Sequence, residues 1–245
     1  MSLVKRRQQK ALQSATETEQ KKTPIAKAVT QSTIDDNRPA VMADFDLYKV
    51  AIDADLAQLK QFPDIDGKCE YKAQAIEQND YMGYLNRYRD SGANHPNAVI
   101  VWLIIWLVDL GRWSTALEYL PMLIEQEQKF PKGFRTLDWP TFFIDQLYDE
   151  GAKHLAKGRD VVEKTDVMQL FVFMTTHFEK QGWVVHELVG GKLFSMAAKL
   201  ENAMFNYGNA YRYCVKATEI NDKAGVKKLA KELAIKIGKT TSNDS

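Results

Sequence analysis

The stretch AVIVWLIIWLV, Ala98 to Val108, runs eleven residues without a polar side chain. Wound at 3.6 residues per turn it is apolar in every direction, so as a helix it must be enclosed by other elements rather than lie on a surface. It is well short of the roughly 18 to 20 residues that span a bilayer. Pro96 stands where helix starts are favoured and Gly111 where helices stop. The sequence therefore predicts a helix from Asn97 to Leu110 at the centre of a helical core.

The flanking sequence has helical spacing too. Phe45, Tyr48, Ile52, Leu56 and Leu59 recur at three- and four-residue intervals until Phe62-Pro63. A second helix is expected from about Lys68 to Arg89, on Tyr71, Ala75, Met82 and Leu85, stopping at Ser91-Gly92. A fourth is expected from about Ser114 to Lys129, then a loop over Pro131 to Pro140, then a fifth to about Lys157. No proline follows Pro140. The rest predicts Asp160 to Lys180, opened by a capping-box pair Asp160 and Glu163, then Val184 to Asn206, Asn209 to Ile220 and Asp222 to Ile237. No segment alternates with period two over more than a few residues. The expected fold is all-α, a helical bundle of about eight helices with helical hairpins.

Composition separates the ends from the middle. Residues 1–40 contain no aromatic residue and, after position 3, only Leu12 as a leucine, too little apolar surface to offset the entropy of ordering. We expect a disordered basic N-terminal arm over 1–40, with a transient helix near Val4 to Glu19. A helical hairpin over 41–92 follows, then a helical core and oligomerisation region over 93–238, then a disordered tail over 239–245. The whole chain has 45% hydrophobic and 27% charged residues, which excludes collagen, wholesale disorder and a membrane protein as a whole. Its 33 basic and 32 acidic residues nearly cancel, but not locally. Residues 1–30 carry seven Lys/Arg against two Glu, residues 31–110 seven against thirteen Asp/Glu, and residues 215–239 seven against three. Trp102, Trp106, Trp113, Phe142, Phe143, Phe171 and Phe173 exceed what one compact domain readily hides, which predicts self-association of the chain.

Few residues carry recognisable chemistry. Cys69 and Cys214 form no C-x-x-C or Cys/His pair, so both are read as small apolar residues in a reducing compartment. MSLVKRRQQK is basic but leads into polar sequence, unlike a secretory signal, so a cytoplasmic protein is expected. Gly190-Gly191-Lys192 lacks the earlier glycine and the following Ser/Thr of a phosphate-binding P-loop, those positions being His186 and Leu193. Pro63-Asp64 with Glu70-Tyr71-Lys72 has the letters of a PD-(D/E)-x-K nuclease, but at too short a gap and with no strands to carry it. His95, His154, His177 and His186 fit no HNH or HExxH spacing, and no G-x-S-x-G elbow occurs. No catalytic residue, cofactor or metal ligand is assigned. What remains is charge: Lys5, Arg6, Arg7, Lys10, Lys21, Lys22 and Lys27 on the arm, and Lys227, Lys228 and Lys231 on the last helix, are the candidate DNA-binding residues.

The segment AVIVWLIIWLVDLGRWSTALEYL, with Trp106, Asp109, Gly111, Ala116, Leu117 and Glu118, resembles the small terminase subunit of P2-like temperate tailed phages, the gpM-like type, also labelled the terminase endonuclease subunit family. Pro131 with the loop Lys132 to Thr136 is similar to that family's Pro-Gly-basic-Arg-Thr-Pro segment. The closing KATEINDKAGVKKLAKEL matches at Ala217, Thr218 and Ala224-Gly225-Val226-Lys227-Lys228. The likeness runs in order through roughly residues 45–235. It implies a protein that binds the cohesive-end region of concatemeric double-stranded phage DNA in the cytoplasm of the bacterial host. It further implies a homo-oligomeric ring that hands DNA to the large terminase ATPase subunit for cleavage and packaging. Relatives tend to extend into a Lys/Arg/Pro-rich tail where this sequence closes on Thr240 to Ser245, which moves tail-type DNA contact to the N-terminal arm. The helices of 41–92 are the expected DNA-recognition region, although they are acidic overall, with Lys68, Lys72, Arg87 and Arg89 as the basic side chains of the second one.

Two other classes remain open on sequence alone. Leu107 to Glu125 and Phe205 to Lys223 each place a Gly turn before a helix of small and aromatic residues, as in a tetratricopeptide-like adaptor that binds a protein or peptide. Such an adaptor leaves heparin at low salt and shifts no DNA. A metal-dependent endonuclease instead cleaves DNA until EDTA is added.

Overall fold

The structure, a computed structural model, describes residues 40–136 and 138–238. The expected arm and tail lie outside the described residues. Those described form twelve helices and no strand. They fall into two compact units, and the division lies within one helix, between Leu103 and Ile104.

The first unit holds α1 (Ala40–Leu59), α2 (Ile65–Gln78), α3 (Tyr81–Asp90) and the start of α4 (Ala98–Asp109). Helix α1 turns Tyr48, Ala51, Ile52 and Leu59 inward as its spacing predicts, but Asp55 shares that buried face and Leu56 is only half-buried. Asp55 accepts from Tyr71 Oη at 2.7 Å, Asn79 Nδ2 at 3.0 Å and Tyr81 Oη at 2.5 Å. These three donors satisfy a carboxylate that would otherwise be expensive to bury. They also tie α1 to both helices that follow it.

The second expected helix is two. Asp64 caps α2 by accepting from Gly67 N at 2.6 Å, so α2 starts before Lys68. The chain then breaks at Asn79, which points its amide into Asp55, and at Asp80, whose φ of 50° is left-handed. Asn97 closes the unit: its Oδ1 accepts from Val99 N (3.1 Å) and Ile100 N (3.2 Å) at the start of α4, and its Nδ2 donates to Tyr84 Oη at 2.7 Å. Helix α4 is as enclosed as its composition demands, with Val99, Ile100, Val101 and Leu103 to Val108 all buried.

The second unit continues through α5 (Trp113–Glu118), α6 (Leu120–Glu125), α7 (Trp139–Ala156), α8 (Arg159–Lys164), α9 (Val167–Gln181), α10 (Glu187–Ala203), α11 (Tyr207–Ile220) and α12 (Lys227–Lys236). Helix α10 is its axis, packed against α7, α9 and α11. Close approach depends on glycines, because a Cβ at Gly151 would stand 2.8 Å from Met196 Cγ and one at Gly190 2.9 Å from Ile220 Cγ2. Phe143, Phe171 and Phe194 are wholly buried there, each contributing about 1.5–3 kcal/mol.

Two expectations need correction here. The Asp160/Glu163 capping box does not form: Gly158 is the N-cap of α8, and Glu163 is taken by Arg159 at 2.6 Å. Of the large apolar residues expected to drive assembly, Trp106, Trp113, Phe142, Phe143 and Phe171 are buried within the chain, and Trp102 and Phe173 are half-buried. The two stretches with repeat-like sequence also differ, since 107–125 contains two short helices and 205–223 one long one. No helix among the described residues is long and apolar enough to cross a membrane.

Candidate nucleic-acid interface

Helix α12 is fixed by Val226, Leu233 and Ala234, all buried, which leaves Lys227, Lys228 and Lys231 on its exposed side. Lys227 pairs with Asp222 at 2.5 Å. Lys228 and Lys231 make no ion pair with a described residue. The helix has no acidic residue in its first turn and no side-chain cap. Lys227 and Lys228 thus stand in the first turn, at the positive end of a helix dipole, where a cation without a paired anion, as Lys228 is, costs about 0.3–1 kcal/mol. A charge held against local stability is suited to an anionic partner.

Between α11 and α12 lies an open groove of about 440 Å³ with Cys214, Val215, Thr218 and Ala230 along it and Lys227 and Lys231 beside them. Burial pushes the Cys214 thiol up to about 11, with nearby Lys199 pulling weakly the other way. Cys214 is therefore the inert apolar residue that the sequence suggests.

A second group of cations sits where α10 turns into α11. The Arg159 guanidinium lies 4.1 Å over the Phe205 ring, and Lys236 Nζ 4.4 Å over the Tyr207 ring. The two rings are 6.0 Å apart at 51°. Sequence reasoning passed over these residues because Arg159 and Lys236 are remote from Phe205 and Tyr207 along the chain.

Three basic residues of 41–92, Lys49, Arg87 and Arg89, are engaged differently. Arg87 donates to Asp44 at 3.0 Å, to Asp80 at 3.2 Å and to Tyr48 Oη at 3.0 Å. Arg89 reaches Asn86 at 3.1 Å and Asp90 at 3.2 Å, and Lys49 pairs with Asp53. These cations organise the unit's own acidic surface. Burial, reinforced by the Asp55 carboxylate, raises the Tyr71 and Tyr81 hydroxyls well above the usual tyrosine value, and burial raises Tyr84 likewise.

The other motifs resolve into structure. Gly190 and Gly191 lie buried within α10, where a Cβ on Gly191 would stand 2.9 Å from Asn221 Cβ, and Lys192 pairs with Asp145 at 2.7 Å. Asp64 is a helix cap, and Glu70 is exposed on the same helix. His186 caps α10, accepting from Leu188 N at 3.2 Å, and His177 stacks on Phe173 at 3.9 Å. Among the described residues no three His, Cys, Asp or Glu side chains gather so as to hold a metal ion. Lys5, Arg6, Arg7, Lys10, Lys21, Lys22 and Lys27 lie outside the described residues.

Comparison with known proteins adds two findings. The family described as phage small terminase subunit matches residues 49–180, more than half of the chain. A protein named probable terminase, endonuclease subunit, of Haemophilus phage HP1 (strain HP1c1), is 26% identical over 207 residues, covering 79% of this chain and 70% of its own length. No solved structure matches.

Proposed function

Because this chain belongs to the phage small terminase subunit family and so has a role in phage DNA packaging, we propose that it binds double-stranded phage DNA at the cohesive-end region and delivers it to the large terminase ATPase subunit. The observation that carries this reading is the family match across 49–180. Lys228, a cation in the first turn of α12 with no ion pair to a described residue, supports it, since such a charge gains most from a polyanion.

The residues assigned to DNA are Lys5, Arg6, Arg7, Lys10, Lys21, Lys22 and Lys27 of the arm and Lys227, Lys228 and Lys231 of α12. The chain acts in the host cytoplasm as a homo-oligomeric ring and leaves cleavage to the large subunit. That ring is not assembled through the buried tryptophans and phenylalanines. Exposed apolar side chains such as Val172, Val184 and Leu188 are the surface available for it.

The test is gel retardation of a cohesive-end duplex together with light scattering. Retardation by a species several times heavier than the 28.0 kDa chain is expected. A 28.0 kDa monomer that leaves the duplex unshifted at micromolar concentration overturns the proposal.

A further inference from the structure

Helix α10 ends in a Schellman turn, in which Phe205 N donates to Asn202 O at 3.1 Å and Asn206 N to Glu201 O at 2.9 Å. The residue after the C-cap of such a turn is left-handed and is usually glycine, because a Cβ is strained there. The chain follows that rule with Gly92, Gly111 and Gly238 after other helices and departs from it at Glu127 after α6, a charged residue at a φ of 50°. Here the residue is Phe205, at a φ of 65° and 55% exposed as a residue. Backbone preference does not favour a phenylalanine at this position, and burial does not reward one.

The surroundings show what the ring is suited to. Arg159 lies over Phe205 and Lys236 over the neighbouring Tyr207. Glu163 pairs with Arg159. Glu201 is buried and turned to Asn206 at 2.8 Å and Asn209 at 3.3 Å, so its charge is directed inward. Phe205 is exposed and Tyr207 half-buried, and a Cβ at the adjoining Gly208 would meet nothing within 4 Å.

We propose that Phe205 and Tyr207 form a stacking platform for an unpaired nucleotide of DNA, with Arg159 and Lys236 placed for the phosphates on either side of it. Any base offers a π-face to such a platform, and cations interleaved with the rings neutralise the strand that carries it. In a duplex those faces are already stacked on their neighbours, so the platform favours single strands. Cations on both rings favour nucleic acid over an apolar protein segment. The proposal rests on the reading of the chain as a DNA-packaging protein and adds a contact which duplex binding does not need.

Fluorescence anisotropy with a labelled thymidine oligonucleotide of about 12 nucleotides, and with a blunt duplex of equal length, tests it on the full chain. Phe205→Gly removes the ring and suits the left-handed backbone, so it is expected to fold with an undiminished Tm. Its affinity for the single strand should fall about tenfold, with duplex affinity unchanged, while Phe205→Trp keeps both. Phe205→Gly binding the single strand like wild type overturns the platform, as does an equal loss on single strand and duplex. Wild type that binds duplex but no single strand overturns the platform and leaves the proposed function standing. Wild type that binds neither removes both.

Discussion

Asp55 illustrates how far a single residue can depart from its pattern. It stands on the inward stripe of α1 among Tyr48, Ile52 and Leu59, and it is tolerated because Tyr71, Asn79 and Tyr81 converge on it. Replacing it with Ala strands those donors in the interior, so Asp55→Ala should cost about 3 kcal/mol. Urea unfolding checks this as a lowered midpoint with an unchanged slope. The tyrosines give the same unit a pH dependence. The folded state holds the Tyr71, Tyr81 and Tyr84 protons more tightly than the unfolded chain, in which tyrosine titrates near its ordinary value of about 10. Their contribution is therefore complete below about pH 10 and is lost as pH rises beyond it. Absorbance at 295 nm should show these hydroxyls ionising together with unfolding rather than ahead of it. None of this was legible in sequence, since the partners of Asp55 lie 16 to 26 residues away along the chain.

Helices were legible wherever a local signal decided them. The apolar run of α4 and its stop at Gly111 needed no distant partner. The break between α2 and α3 did, because Asp80 is held by Arg87, which also binds Asp44 from α1. The capping box failed for a local reason that composition hid: Arg159, beside Asp160, takes Glu163 first. At this scale the packing of α10 predicts opposite outcomes for two glycines. Gly191→Ala should destabilise by about 1–3 kcal/mol, as its Cβ would press on Asn221, whereas Gly208→Ala, with open space around it, should be neutral or stabilising. Thermal melts of the two variants distinguish them. Helix α12 predicts a trade-off. Lys228→Glu puts an anion where the dipole favours it, so Tm should rise by the equivalent of about 0.5 kcal/mol while duplex affinity falls. A variant that gains stability and keeps its affinity for DNA removes Lys228 from the interface.

For the whole molecule the sequence conveyed the helical class and the family, and it placed three of the ten candidate DNA residues on one exposed helix face. It misjudged the large aromatics, which look like surplus when counted, whereas Trp106, Trp113, Phe142, Phe143 and Phe171 prove to be core when packed. It also missed the cations over Phe205 and Tyr207, because α8, α11 and the end of α12 meet there only in the fold. The central claim, that this chain holds duplex DNA through the cations of its arm and of α12, is tested most directly by the salt dependence of duplex binding, compared between the full chain and a chain lacking residues 1–30. Neutralising five phosphates gives a log–log slope of about −4 to −5 for the full chain. Deletion should flatten that slope and weaken all duplexes alike, with oligomer mass unchanged. A full chain whose duplex affinity is indifferent to salt, or which binds no duplex at all, contradicts the account.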